Sequence, residues 1–252
     1  MYWQYQLRKI ILGFLGFFNV ANIASAQETS KEFWPEIDIW LRVSPSWRFS
    51  SYIPLSTNIE TKYREGSLVL QADYAWGKVG RLRQTRLLDE NRAESLNSNM
   101  VRSGYLTGHS LADNGVTYSE NTFYAEFHLR IPLKRQFLIS HRFRNDFRWL
   151  GYENEFSTRL RYRLMIEKEL RAKKVSFVPY FSAEPYYDSR YATINRVRLI
   201  GGTSVDWSPR YALEGNFTYQ HDTRSSVTNL YALNLILHLY FETGKAKPNQ
   251  PK

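Results

Sequence analysis

The chain of 252 residues contains no cysteine. Disulfide bonds, zinc sites built on thiolates and a cysteine nucleophile are therefore excluded. The sequence also lacks any run of about 18 apolar residues, the length that a membrane-spanning helix needs. The mean hydropathy of −0.49 agrees with this, because a bundle of such helices would be far more apolar. A helical membrane protein is excluded as well.

Aromatic residues are abundant: they make up 16 % of the chain, with 18 Tyr, 15 Phe and 7 Trp. They favour β-strands, and Tyr and Trp also collect at the two interfaces of membrane β-barrels. The formal net charge is +10, and a basic chain can attract nucleic acid. The export segment described next argues against that partner. Outer-membrane lipids and the phosphates of lipopolysaccharide are the expected partners instead.

Residues 1–26 have the three parts of a secretory leader. Arg8 and Lys9 supply the positive start, residues 10–18 form a short apolar run, and Ala24–Ser25–Ala26 is a small-residue cleavage site. The apolar run is too short to span a membrane, since spanning takes about 20 residues. We therefore expect a cleaved signal peptide at 1–26, a β-barrel at 27–241 and a polar tail at 242–252, located in the outer membrane.

Seven segments of the C-terminal half alternate apolar and polar residues with a period of two, as half-buried strands do. They cover residues 123–131, 137–148, 156–167, 175–184, 196–207, 211–220 and 231–241. Many approach ten residues, and their polar faces carry charge, which favours a barrel with a lipid-facing apolar wall over a soluble sandwich of shorter strands. The sequence predicts an all-β, antiparallel transmembrane barrel with an even number of strands, about 12, or alternatively 10.

The N-terminal half alternates less regularly. Apolar residues suggest strands at 37–43, 47–53 and 68–76. Residues 77–121 are polar and contain several glycines, with only weak strand patterns near 79–88 and 99–107. We expect one or two strands there together with a long extracellular loop, where such barrels place extra length.

Six ordered motifs between His141 and Phe241 resemble an uncharacterised outer-membrane family known as domain of unknown function 2490. They are HRFRNDFRW (141–149), TRLRYRLMIEK (158–168), the segment from Val178–Pro179–Tyr180 through Glu184 to Tyr187, NRVRLIGG (195–202), YQHDTRSS (219–226) and ALNLILHLYF (232–241). The N-terminal 120 residues are similar to the family only loosely, through Trp40 and the strand with Asp73 and Tyr74. The resemblance implies an outer-membrane barrel and no particular chemistry.

Arginines share the polar phase of three strands, and in an antiparallel barrel same-phase residues on adjacent strands become neighbours. The predicted lumen-lining residues are Arg142, Arg144, Arg159, Arg161, Arg163, Glu184, Arg196, Arg198 and Glu214. Two interpretations remain open. The residues form a salt-bridge network that fills a narrow lumen, or they form an anion-selective constriction or a site for a phosphate-bearing ligand.

No motif indicates catalysis, a metal site or a cofactor. None of the five histidines has metal-ligand spacing. His128 and His238 share polar phases and are expected in the lumen, whereas His141 falls in the apolar phase, toward lipid. Outer-membrane phospholipases place a histidine–serine pair on the outer wall, but Ser157 has the inward phase here. A nucleophile for His141 is therefore missing.

The favoured function is a non-enzymatic outer-membrane barrel with an arginine-rich lumen, either a narrow pore or an envelope structural or binding protein. The barrel-assembly machinery is an expected partner during biogenesis, and oligomeric state is left open. One alternative is a lipid-modifying enzyme resembling a phospholipase or acyltransferase. Another is a soluble periplasmic β-protein that binds an anionic ligand.

Overall fold

The structure is a computed structural model that describes residues 28–79, 96–111, 118–151, 153–172, 175–208 and 210–243. The predicted leader 1–26, most of the weak strand at 79–88 and most of the C-terminal tail lie outside the described residues. The part that is described is a single all-β sheet closed into a barrel, which confirms the predicted fold class.

Twelve strands form the sheet. They are β1 (Glu28–Arg42), β2 (Trp47–Asn58), β3 (Arg64–Val79), β4 (Leu96–Ser110), β5 (Ser119–Pro132), β6 (Phe137–Leu150), β7 (Glu155–Lys168), β8 (Leu170–Ala172), β9 (Val175–Asp188), β10 (Thr193–Asp206), β11 (Tyr211–Asp222) and β12 (Val227–Glu242). The seven C-terminal strands predicted from alternation are all present, as are the three N-terminal ones and the weak strand near 99–107. Most extend a few residues beyond the predicted limits.

The barrel closes differently from the expectation of an even, wholly antiparallel set. The short strand β8 only prolongs the hairpin of β7 with β9, so that eleven strands complete the circle. Neighbours along the chain pair antiparallel, but β1 pairs with β12 in parallel, from Thr29 opposite Asn229 to Arg42 opposite Glu242. An odd number of alternating strands requires one parallel pair. The first and last strands therefore begin at the same end, and Glu28 at the start of β1 lies at the opposite end of the barrel from Glu242 at the end of β12.

We call the end where β1 begins the N-end and the end where β12 finishes the C-end. Short turns connect most strands, and polar side chains fix several of them. Ser44 Oγ accepts hydrogen bonds from the backbone N–H groups of Ser46 and Trp47 at the C-end. Asn58 Oδ1 does the same for Glu60 and Thr61 at the N-end. These side chains mimic backbone turn contacts, so each hairpin and its register are locally determined.

The period-two alternation sorts side chains by chemistry. Large apolar residues of the outward phase are exposed, including Leu70, Phe143 and Leu233. The inward phase is buried and mostly polar. Seven buried apolar residues of the inward phase lie toward the C-end. They are Trp40, Ala75, Met100, Leu138, Met165, Val178 and Ala212, none more than 7 % exposed. Side chains therefore fill the lumen near the C-end, and buried charged residues occupy much of the rest of its height.

Candidate functional site: the arginine-lined lumen

The predicted arginine ladder forms on two adjacent strands. In the pairing of β6 with β7, Arg142 lies opposite Arg163 and Arg144 lies opposite Arg161. The four-residue turn after Leu150 sets this register, and all four side chains point into the lumen. Like charges directly opposite each other destabilise a sheet, so the ladder needs carboxylates nearby.

Three buried carboxylates supply that compensation. Asp146 accepts from Arg159 Nε at 2.8 Å and also bonds to Arg144, with Arg161 at 3.8 Å. Glu184 on β9 reaches across β7 to accept from Arg142 Nη2 at 2.6 Å and from Arg161 Nε at 2.9 Å.

Glu126 on β5 is the third carboxylate, with its Oε1 accepting from Arg144 Nη1 at 2.9 Å. Each of the three serves two or more arginines, and together they link β5, β6, β7 and β9. The salt-bridge network predicted as one interpretation of the arginines is present.

The arginines and the carboxylates differ in exposure. The side chains of Glu126, Asp146 and Glu184 are at most 2 % exposed, whereas those of Arg142, Arg144, Arg159 and Arg161 are 11–13 % exposed. Arg196 on β10 is 27 % exposed, although its partner Asp222 is only 3 % exposed. The carboxylates lie beneath the guanidinium groups. What the lumen presents to solvent at this level is therefore positive.

Tyr186 on β9 stands at the centre of the cluster. Its side chain is buried, and four guanidinium carbons lie within 5.7 Å of its ring, those of Arg159, Arg161, Arg196 and Arg198. The Tyr186 hydroxyl accepts from Arg161 at 3.0 Å and donates to Glu184 at 3.0 Å. Guanidinium groups favour the faces of aromatic rings. Tyr186 thus holds four cations together without supplying a charge.

Arg198 differs from its neighbours in its partners. Its Nε and Nη2 both donate to Gln220 Oε1, at 3.1 and 2.6 Å, and its guanidinium faces the Trp34 ring at 5.4 Å. Within the described residues it makes no ion pair with a carboxylate. Trp34 comes from β1, so this contact crosses the lumen.

Glu214 does not join the arginines. Its carboxylate accepts from Asn216 at 3.0 Å and lies 3.2 Å from His238 Nε2, with Tyr180 also bonded to it. On the other side of the His238 ring, Nδ1 is 3.0 Å from Asp38. Glu214 lines the lumen as predicted, but in a separate histidine-centred group. The sequence pattern could not separate the two groups, because β11 and β12 share the polar phase of the arginine strands.

A further network, not predicted from the sequence, lies in the N-terminal half. Asp73 on β3 accepts from Arg48 on β2 at 2.6 Å and from Arg102 on β4 at 2.7 Å, and all three side chains are buried. Arg102 falls in the segment whose alternation was too weak to assign. Its carboxylate partner Asp73, directly opposite it on the neighbouring strand β3, was the signal that could have found it.

His141 lies in the outward phase, as expected. Its Nδ1 is 2.8 Å from the Tyr162 hydroxyl of the neighbouring strand, and within the described residues this is the only hydrogen-bond partner of the ring. His128, by contrast, faces the lumen and contacts Glu126 at 2.8 Å. A histidine–tyrosine pair offers no serine nucleophile, so its geometry differs from that of the phospholipase arrangement.

Asn145 follows His141 by four residues on the same outward face and lies in the floor of an apolar depression. The depression has a volume of about 510 Å³, and Ala125, Phe127, Phe143, Leu160 and Tyr162 contribute to its lining. The buried Oδ1 of Asn145 has no hydrogen-bond partner within the described residues. The outer wall therefore carries one polar group that the protein itself does not satisfy.

The described residues contain no group of three or more His, Asp or Glu side chains that could hold a metal ion. Among them, no helix has the length and apolarity that crossing a membrane would require.

The comparisons with known proteins give one result. The family model described as "Protein of unknown function (DUF2490)" matches residues 3–231, which confirms the suspected family and extends much farther toward the N-terminus than the motifs in 141–241. No curated protein and no solved structure matches the chain. The match covers most of the chain, whose described part folds as the closed barrel above. The chain therefore belongs to the DUF2490 family of proteins of unknown function.

Proposed function

We propose that this protein is an outer-membrane β-barrel whose outer wall faces lipid. One observation carries the proposal: the distribution of side chains is inverted relative to a water-soluble protein. Large apolar residues are exposed around the whole wall, whereas buried carboxylates and arginines fill the interior. A soluble monomer rarely exposes contiguous apolar patches of more than a few hundred Å², but lipid requires such a surface.

The positions of the exposed aromatic residues support the same orientation. Toward the C-end, outward aromatics occur at Trp47, Trp76, Trp207, Tyr211 and Phe241; toward the N-end, they occur at Tyr105, Trp149, Phe156, Tyr187 and Tyr191. Membrane barrels carry two such girdles, about 25 Å apart, at the two interfaces. Strands of 14 residues, at about 3.4 Å per residue and a tilt near 40°, reach roughly 35 Å along the barrel axis. That height is sufficient for both girdles.

We further propose a structural or binding role rather than an open pore. Near the C-end the inward residues Leu138, Met100 and Ala212 are fully buried, and nearer the N-end the arginines are tied to carboxylates across neighbouring strands. An aqueous channel would leave lumen side chains exposed. We therefore expect planar bilayers containing the protein to show no stable ohmic conductance.

We do not assign an enzymatic activity. The candidate on the outer wall is the pair of His141 and Tyr162, and in the described part of the chain no serine is hydrogen-bonded to the His141 ring. Accordingly, replacing His141 by Ala should leave any lipid turnover by membranes containing the protein unchanged. Loss of a phospholipase or acyltransferase activity in that variant would support the lipid-modifying alternative.

The proposal is tested by expressing the full chain with its expected leader and separating the two membranes of the cell. We expect the mature protein in the outer-membrane fraction, with a gel mobility that changes on boiling, as closed barrels show. Recovery in the soluble periplasmic fraction would instead support the alternative of a soluble periplasmic β-protein that binds an anionic ligand.

A further inference from the structure

We infer that the lumen contains a binding site for an oxyanion of the phosphate class, formed by Arg159, Arg196 and Arg198 around Tyr186 and open toward the N-end. The inference deepens the proposed function by naming a ligand class for the binding role. It depends on the closed barrel and on the side chains inside it. The membrane location is tested separately by fractionation.

The first argument is the balance of charge. Six arginines of this region, Arg142, Arg144, Arg159, Arg161, Arg196 and Arg198, contact only four carboxylates, those of Glu126, Asp146, Glu184 and Asp222. Glu126 also lies 3.5 Å from Arg102. Burying a charge is costly unless a partner compensates it. The region therefore has a positive excess that an anion would neutralise.

The second argument is the geometry of exposure. The carboxylates of Glu126, Asp146 and Glu184 are at most 2 % exposed, whereas the arginines bonded to them are 11–13 % exposed and Arg196 is 27 % exposed. Two carboxylates nearer the N-end, Glu120 and Asp188, are themselves bound by Arg148 and Arg190. At this cluster the guanidinium groups are therefore more accessible to an entering anion than the carboxylates are.

The third argument concerns Arg198 itself. Its hydrogen-bond acceptor is the neutral amide of Gln220, its guanidinium lies near the rings of Trp34 and Tyr186, and Glu184 attracts it only from beyond ion-pair distance. Arg196, also within 5.7 Å of the Tyr186 ring, adds a like charge. The guanidinium is held in place by neutral groups, yet it keeps its full charge because arginine stays protonated. Such an arrangement holds a cation ready for an external anion.

The ligand class follows from the donors. Several planar guanidinium forks offer paired N–H groups, the geometry that matches phosphate oxygens bidentately. Two sources provide this chemistry, a free phosphate ion and the phosphate group of an envelope lipid. The experiment distinguishes them.

The test titrates inorganic phosphate into the purified, folded barrel in a neutral detergent, at constant ionic strength with chloride as the compensating anion. We expect saturable binding that chloride does not reproduce. Arg198→Gln should weaken it by about tenfold to a hundredfold, the loss expected for hydrogen bonds to a charged group. Arg198→Lys keeps the charge but not the planar fork of N–H groups. Its phosphate affinity should lie between those of the wild type and Arg198→Gln.

Arg64→Gln is the matched control, because Arg64 is an exposed arginine of the N-end on β3, away from the cluster. The phosphate affinity of the Arg64→Gln variant should equal that of the wild type. Each variant is first shown to be folded by its heat-modifiable mobility. If Arg198→Gln does not fold, the Lys variant and the wild-type comparison of phosphate with chloride decide.

The source is identified by repeating the titration in the same neutral detergent with a short-chain phosphatidic acid present. A lower apparent phosphate affinity that saturates with the added lipid indicates that a lipid phosphate can occupy the site, and an unchanged affinity indicates a free ion. Both results support the oxyanion site. It is overturned if the folded wild type does not bind phosphate in preference to chloride, or if Arg198→Gln and Arg64→Gln bind phosphate equally well. Neither of these two overturning results would alter the outcome of fractionation, which tests the outer-membrane location separately.

Discussion

Replacing Asp146 by Asn tests whether the ion-pair network holds the barrel together. The side chain of Asp146 is 0 % exposed and lies within ion-pair distance of three arginines. After its charge is removed, Arg144 keeps Glu126 and Arg161 keeps Glu184. Arg159 has no second carboxylate within ion-pair distance in the described residues, although Glu120 attracts it from farther away. The substitution therefore leaves one arginine, 13 % exposed, without an ion pair.

The expected loss of stability follows from the loss of this one ion pair. Breaking a buried ion pair by removing one partner typically costs about 3–5 kcal/mol. Because Arg159 retains some contact with solvent, we expect about 3 kcal/mol, at the lower end of that range. The assay is a urea titration of the purified barrel in detergent micelles, followed by tryptophan fluorescence.

A double variant separates the lost pair from other effects. Combining Asp146→Asn with Arg159→Gln removes the unpartnered charge, and we expect it to be more stable than Asp146→Asn alone by at least about 1 kcal/mol, as coupled neighbours show. Glu60→Gln serves as the control, since Glu60 pairs with Lys31 at side-chain exposures near 60 %. It should change stability by less than about 0.5 kcal/mol.

The account of the network is wrong if Asp146→Asn loses less than about 1 kcal/mol. It is also wrong if the double variant is no more stable than the single one.

Three further predictions concern the wall, the packing of the lumen and the chain ends. In lipid vesicles, Asn145→Leu should stabilise the barrel by about 1–3 kcal/mol, because it removes an unsatisfied amide from an apolar surface; lower stability in urea would show that the amide has a partner. Gly104→Ala should lower the free energy of unfolding by about 1–3 kcal/mol, because a Cβ there would clash with the buried Tyr124 ring. Gly215→Ala should be nearly neutral, because a Cβ there meets nothing within 4 Å. Equal effects of the two substitutions on thermal unfolding would refute this prediction. Epitope tags at the two ends of the mature chain should show only one exposed to antibody on intact cells, and access to both or to neither would contradict the parallel closure.

Much of the fold could be predicted because its determinants are local. Alternation with period two defines β5, β6, β7 and β9–β12 within a few residues each, and short turns fix the hairpin registers. The ladder of Arg142 and Arg144 opposite Arg161 and Arg163 follows from one such register.

The features that were missed depend on residues far apart in the chain. The parallel pairing of β1 with β12 is set by closure of the whole sheet, and no local pattern encodes it. Likewise, the position of Arg198 between Trp34 and Tyr186 brings together three strands across the lumen. The separation of Glu214 from the arginines depends on His238 and Asp38, whose strands meet only at the closing seam.

The central claim, that the apolar wall faces lipid and the polar phase faces a filled lumen, is tested most directly by single-cysteine spin labelling. The chain has no cysteine of its own, so each introduced thiol is labelled alone. In phospholipid vesicles, nitroxides at Leu70, Leu164 and Leu235 should collide more often with dissolved oxygen than with a water-soluble nickel complex. Labels at these three outward sites that are instead more accessible to the nickel complex would contradict the account.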